Sequence, residues 1–253
     1  KAFICTQDLK DEDYINSQFV IMATKKGQVK KTSLEQYSRP RTNGINAITI
    51  KEDDELLEAK LTTGASQVML ALKSGKAIRF EEAKTRPMGR GASGVRGITL
   101  AHETDEVIGM IAVDDMESNI LVVSENGYGK RSSLEDYRIT NRGGKGVKTI
   151  SITEKTGNLV SIKNVIDEDD LMIINKSGVA IRLAVEDLRV MGRATQGVRL
   201  INLKANDSIA AVAKVMREDE DEIDDSEELT NEAIKETNLS QTGEASADTQ
   251  EEE

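Results

Sequence analysis

The sequence has no tryptophan, and its three phenylalanines and four tyrosines make up only 3% of it. It has one cysteine, Cys5, one histidine, His102, and two prolines. A lone cysteine excludes an internal disulfide framework and any cysteine-built zinc site. A lone histidine excludes a His-rich metal centre and argues against a Ser-His-Asp triad. No apolar run approaches the roughly 18 residues of a membrane span, and no signal peptide opens the chain. These absences point to a cytoplasmic protein with no membrane partner. What is abundant is charge: 34 Lys+Arg against 45 Asp+Glu give a net −11, a balance that by itself argues against a nucleic-acid binder.

That balance is uneven along the chain. Residues 217–253 hold 16 acidic residues and two basic ones, Arg217 and Lys235, for a net −14. This stretch has no aromatic and few large apolar residues, so it reads as a disordered acidic tail, with a transient helix expected over 226–236. The other 216 residues carry 32 basic and 29 acidic residues, a net +3.

Those 216 residues repeat. Gly27, Gly75, Gly127 and Gly178 recur at spacings of 48, 52 and 51, and Gly44, Gly94, Gly146 and Gly197 at 50, 52 and 51. Each copy reads as an apolar strand, a Gly turn, a basic strand, a basic Gly-containing loop and two further strands. The first strands are Phe19–Met22, Val68–Ala71, Ile120–Val123 and Leu171–Ile174. The third are Ile45–Ile50, Val95–Leu100, Val147–Ile152 and Val198–Leu203, and the fourth Leu56–Leu61, Val107–Val113, Leu159–Val165 and Ile209–Val215. Four short strands in about 50 residues describe one blade of an all-β, propeller-like fold. The domain is expected over 1–216, with repeats at about 17–64, 65–116, 117–168 and 169–216. Ala2–Gln7 resembles the fourth strand of a blade without a beginning, and the chain opens on Lys, so further blades are expected upstream.

The basic residues are in phase with the repeat. From first turn through loop, the windows 25–45, 73–96, 125–148 and 176–199 carry +5, +5, +3 and +3, and the rest of the body carries −13. One basic side per blade makes a continuous band suited to duplex phosphates. No aromatic recurs through all four loops for base stacking, and no helix-turn-helix or zinc-finger pattern offers a major-groove reader. The candidate DNA contacts are Lys25, Lys26, Lys30, Lys31, Arg39 and Arg41 in the first repeat. The second adds Lys73, Lys76, Arg79, Lys84, Arg86, Arg90 and Arg96. The third adds Lys130, Arg131, Arg138, Arg142, Lys145 and Lys148, and the fourth Lys176, Arg182, Arg189, Arg193 and Arg199.

Other motifs carry less. Gly89-Arg90-Gly91-Ala92-Ser93-Gly94 matches a dinucleotide fingerprint but leads into a strand, so its βαβ context is missing. Asp53-Asp54 and Asp169-Asp170 read as solvated turns between strands. Tyr37 and Tyr137 hold matching repeat positions, which favours packing. His102 reads as a surface residue, and Cys5 as a buried, inert strand residue.

The run Tyr137-Arg138-Ile139-Thr140-Asn141-Arg142-Gly143-Gly144-Lys145-Gly146 resembles the basic box of the DNA gyrase A family, Gln-Arg-Arg-Gly-Gly-Lys-Gly, with Thr140 and Asn141 departing from it. Arg86-Pro87-Met88-Gly89-Arg90, Glu125–Arg131 and Met191–Leu200 resemble the same family's C-terminal domain. The resemblance covers residues 1 to about 216. It implies a six-bladed β-pinwheel with strands exchanged between neighbours, of which this chain holds the end of the second blade and the last four. It also implies a full box and a DNA-cleaving tyrosine upstream, so none of the four tyrosines here is catalytic. Arg142, Lys145 and Lys148 are expected on phosphates, and Gly143, Gly144 and Gly146 let the backbone approach DNA. The implied holoenzyme is an ATP-dependent type II topoisomerase, A2B2 with gyrase B, that binds ATP and Mg elsewhere; no cofactor or metal is expected in this chain. The alternatives are the corresponding chain of topoisomerase IV, a sibling acting in decatenation, and a propeller-like protein scaffold without a DNA role.

Overall fold

The structure is a computed structural model that describes residues 2–217. The acidic tail beyond Arg217, with the helix expected at 226–236, lies outside the described residues.

The first repeat forms β1 (Phe19–Thr24), β2 (Gln28–Ser33) and β3 (Leu56–Thr62). The second forms β4 (Gln67–Leu72), β5 (Lys76–Glu81), β6 (Val95–Arg96) and β7 (Val107–Val113). The third forms β8 (Asn119–Ser124), β9 (Tyr128–Ser133), β10 (Val147–Lys148) and β11 (Leu159–Val165), and the fourth β12 (Asp169–Asn175), β13 (Ala180–Ala184), β14 (Val198–Arg199) and β15 (Ile209–Met216). β1, β4 and β8 are near-continuous apolar runs because both faces are covered, those of β4 and β8 by neighbouring blades and those of β1 by the second blade and the N-terminal segment, so an alternating pattern has no solvent side to serve. A glycine at positive φ ends each hairpin turn, with Gly27 N–H donating to Thr24 O at 3.0 Å and Gly75 N–H to Leu72 O at 2.9 Å. Short 3-10 turns follow at Leu34–Tyr37, Glu82–Lys84 and Leu134–Asp136.

The sheets run β3-β1-β2-β6, β10-β5-β4-β7, β11-β8-β9-β14 and β13-β12-β15, the first three antiparallel throughout and β12 antiparallel to β13. The third strand of the second, third and fourth repeats thus leaves its own blade. β6 pairs with β2, β10 with β5 and β14 with β9, each with the preceding blade. The exchange lasts only two residues, far shorter than the six expected from sequence. Beyond it the chain turns in over the neighbour's hairpin, where Gly97 N–H donates to Gly27 O, Thr149 N–H to Gly75 O and Leu200 N–H to Gly127 O at 2.8–2.9 Å. Residues 45–50 form no strand; no preceding sheet lies alongside them among the described residues.

The fourth strands form the inner edge. Val107 N–H donates to Lys25 O, Leu159 N–H to Lys73 O and Ile209 N–H to Glu125 O at 2.8–3.0 Å, so each turn grips the next blade's inner strand. Apolar layers fill the gaps between blades: Ile21, Val29, Leu70 and Ile98 between the first two, Met69, Ala77, Val122 and Ile150 in the next, and Leu121, Val123, Leu171 and Ile209 in the last.

Three readings need correction, and one element was unforeseen. Ala2–Gln7 is not a strand, because no other strand lies beside it among the described residues. Cys5 is exposed and not in a strand. An unforeseen helix α1 (Glu12–Ser17), capped by Asp11 accepting from the Asp13 and Tyr14 amides, lays Ile15 on the outer face of the first blade beside Val20 and Met22. Asp169 and Asp170 lie buried within β12, paired with Lys214 at 3.1 Å and Arg182 at 2.6 Å, and are not a solvated turn. His102 is exposed, as expected.

Candidate nucleic-acid interface

The basic residues that share one window in sequence occupy three depths in the fold. Lys25, Lys73 and Lys176 lie at the inner edge, where with Glu125 and the starts of the inner strands they line a cavity of about 310 Å³. Lys25 pairs there with Glu55 and Lys73 with Glu106, both at 3.4 Å. These three do not belong to an outer band.

Five more are interior. Lys30, Lys31, Arg79, Lys130 and Arg131 are buried, and each head bonds the following repeat, Lys30 and Arg131 bonding their own repeat as well. Lys31 pairs with Glu82 at 3.0 Å, and Glu82 also accepts from Thr62. Arg79 donates to the carbonyls of Leu134 and Tyr137 at 2.6 and 3.0 Å, and Arg131 bonds Leu188 O and Asp167. Lys30 donates to Ala47 O at 2.6 Å and to Arg90 O, and Lys130 to Gly192 O at 2.6 Å and Thr195 at 3.2 Å. Burial removes all five from any contact with phosphate. They tie neighbouring repeats together, while Tyr37 and Tyr137 bond Ala47 O and Thr149 within their own repeats.

Burial also leaves a pH signature. Desolvation, with Arg90 near one amine and Arg193 near the other, lowers Lys30 and Lys130 from 10.5 to about 8. A lysine depressed in the folded state holds fewer protons there than when unfolded, so stability rises with pH between those values. We expect unfolding free energy to increase from pH 8 to 10.5, with a smaller increase in Lys130→Met, measured by urea unfolding at each pH.

What remains at the outer edge is a row of loops. Arg39 and Arg41 are exposed in the first repeat, Lys84, Arg86 and Arg96 in the second, Arg138, Lys145 and Lys148 in the third, and Arg189 and Arg199 in the fourth. Lys26, Lys76, Arg90, Arg142, Arg182 and Arg193 are exposed or half-exposed, with Arg182 tied to Asp170. Neighbouring loops brace one another. Arg142 donates from Nε to Lys84 O at 3.0 Å and from Nη1 to Arg96 O at 3.1 Å. Arg193 repeats the contact on Lys148 O at 2.8 Å. A guanidinium has five donors, so these bonds fix Arg142 and leave others facing outward. Lys148 stands directly opposite Lys76 in the β10–β5 pair, a like-charge placement that an anion between them would relieve.

The glycines of the 142–146 run divide. Gly146 has φ +70°, and a Cβ there would lie 2.6 Å from Ala77 O, so its first requirement is the preceding blade. Gly144 is exposed, and Gly143 abuts the Arg96 side chain, 3.8 Å from a Cβ at this position. The sequence reading missed Thr49, Thr99 and Ser151, which pin each next loop. Thr99 bonds Gly143 O at 2.7 Å and Gly144 O at 2.9 Å, Thr49 bonds Gly91 O at 2.8 Å and Ser151 bonds Thr195 O at 3.1 Å. Their shared place five residues after the loop glycine was the available signal. It missed Tyr128 too, whose hydroxyl accepts from Arg199 at 2.8 Å and is held below the usual phenol range chiefly by that bond.

Comparison with known proteins places this architecture. A family model described as "DNA gyrase C-terminal domain, beta-propeller" matches residues 18–63, 68–114, 118–166 and 169–216. The chain belongs to the DNA gyrase C-terminal domain family. It is 47% identical over 230 residues to the gyrase A protein of Staphylococcus aureus strain NCTC 8325, a match covering 90% of this chain and 25% of that protein. The chain therefore spans a quarter of that relative's length. A solved DNA gyrase A C-terminal domain superposes with a TM-score of 0.71 at 25% identity, covering 79% of this chain and 67% of the other. The C-terminal domain of DNA topoisomerase IV superposes at 0.75 with 24% identity over 80% and 63%, a likeness of fold alone. The four matched segments of the gyrase C-terminal domain family are the four blades described above, each contributing one basic loop, and those of the second, third and fourth are braced by Arg142 and Arg193.

Proposed function

We propose that the outer edge of this chain binds duplex DNA through its phosphates and wraps it along successive blades, serving negative supercoiling by a gyrase holoenzyme. The observation that carries this reading is the in-phase row of exposed Arg and Lys on loops braced by Arg142 and Arg193. Backbone contacts need fixed cations spaced along a surface and no base reader. The 47% identity to a gyrase A protein favours gyrase over topoisomerase IV. In this reading the partners are duplex DNA and gyrase B, the complex works in the cytoplasm, ATP and Mg act elsewhere in the holoenzyme, and this chain is not itself catalytic. The acidic tail, net −14, competes with DNA for the edge.

A salt titration tests the binding mode. With about six to ten phosphate contacts, affinity for duplex falls by about 10³–10⁵ between 50 and 200 mM salt. A salt-insensitive affinity would contradict backbone binding.

A further inference from the structure

One pair of residues in each outer loop takes no part in bracing. An exposed arginine followed by an exposed apolar residue recurs as Arg39-Pro40, Arg86-Pro87, Arg138-Ile139 and Arg189-Val190, at spacings of 47, 52 and 51. None of these four guanidiniums makes a hydrogen bond or ion pair among the described residues, whereas Arg142 and Arg193 spend donors on neighbouring loops. Ile139 and Val190 are 48% and 51% exposed. A single exposed apolar side chain is ordinary. One at the same place in every copy, on the most cationic edge of the fold, is not: a row that only neutralised phosphates would be served there by Ser, Thr or Asn.

The backbone of three of these pairs is clamped by the preceding blade. Pro87 forms a bridge with Lys31, Ile139 with Arg79 and Val190 with Arg131. The amide just after each apolar residue donates to the carbonyl of that buried cation, Met88 N–H to Lys31 O at 2.7 Å and Thr140 N–H to Arg79 O and Met191 N–H to Arg131 O at 2.9 Å. On the other side, the Arg79 guanidinium holds Tyr137 O at 3.0 Å and that of Arg131 holds Leu188 O, each two residues before the apolar one. Each pair is thus a fixed two-residue projection. Its apolar member is a proline or a β-branched residue, stiff side chains that lose little freedom on contact.

We propose that each pair enters the minor groove of the bound duplex, its arginine lying in the groove and its apolar side chain wedging against a base step, so that the pairs set where the duplex bends. The inference rests on the duplex-binding reading above and deepens it: the other cations of the row hold phosphates, and these four arginines do not. Wrapping narrows the minor groove where it faces the protein, and a narrowed groove draws arginine in. A rigid apolar side chain beside it pries the step open on one edge, which kinks the duplex toward the major groove and away from the wedge. Steps that unstack easily, pyrimidine followed by purine, are then favoured at the wedges without any hydrogen-bond reading of bases.

The test uses the whole chain and two duplexes of one sequence and length, the second with inosine in place of guanine. Inosine lacks the amino group that guanine places in the minor groove and keeps its major-groove acceptors. Fluorescence anisotropy should show the inosine duplex bound at least about fivefold tighter. Ile139→Thr with Val190→Thr keeps charge and β-branching at two exposed positions, so the fold and the salt slope of binding should stay as they are. The inosine preference should fall by about half or more, and the linking-number shift of circles ligated on the chain should shrink with it. Ile139→Val with Val190→Ile keeps the wedges and should keep both readouts. Equal affinity for the two duplexes, or a preference and linking-number shift unmoved by the threonine pair, would overturn the proposal and leave phosphate binding standing. No binding of either duplex would overturn the duplex-binding reading and the proposal with it.

Discussion

Replacing Arg96, Lys145 and Lys148 together by glutamate is expected to weaken duplex binding by about 100-fold at 100 mM salt, because phosphate neutralisation supplies most of such affinity. All three side chains are exposed and none is spent on bracing, so the fold should survive. They converge at one joint: Arg96 lies beside Gly143, and Lys148 shares a short strand with the end of the same loop. A control reversing Lys10, Lys51 and Lys204 makes the same change in net charge. All three are exposed outside the loop row and should cost less than about tenfold, the residue of screened long-range attraction. Fluorescence anisotropy with one duplex at fixed salt separates the two variants. Equal losses would mean that net charge, not the loop row, governs binding.

The second large effect concerns stability. Gly94→Ala should cost on the order of 3–4 kcal/mol, lowering Tm by roughly 10 °C, while Gly44→Ala should cost only about 1 kcal/mol. Both glycines hold positive φ, +88° and +77°, so both substitutions meet left-handed strain. Only at Gly94 would the added Cβ stand 2.5 Å from Val29 O; Gly44 has nothing within 4 Å. The clash is with backbone of the preceding blade, so relief means separating two blades. It also pulls the 89–94 loop from the Lys30 amine that holds Arg90 O. Thermal unfolding of the two variants gives the comparison, and equal shifts would contradict the blade-joint account.

The blade count, the hairpin glycines and the exchange of strands were legible in the sequence or implied by its resemblance, because glycine spacing and apolar runs are local signals that recur. The depth of each basic residue was not. Residues 30 and 31 point to opposite faces of β2, and in most sheets one of them would meet solvent. Here a neighbouring repeat covers both, so a charge count along the chain assigns to the surface five side chains that the fold encloses. Their partners are carbonyls such as Arg90 O, 60 residues away from Lys30, which no window of sequence contains. Lys25 and Lys73 were misread for a related reason: their turns close toward the inner strands, where Glu55 and Glu106 wait. The outer loops were legible because they are loops, where glycine and arginine face solvent without a long-range partner deciding their direction. Helix α1 escaped because six residues are too few to show a helical period.

The central claim is that the loop row bends duplex DNA along successive blades and does not merely hold it. Ligating nicked circular DNA in the presence of the chain, then removing protein and resolving topoisomers, tests that claim most directly. Wrapping predicts a linking-number distribution shifted from that of DNA ligated alone. The shift should grow with bound protein and vanish in the Arg96, Lys145 and Lys148 triple variant. A distribution identical to the free-DNA control, at a protein concentration where the circles are demonstrably bound, would contradict the account.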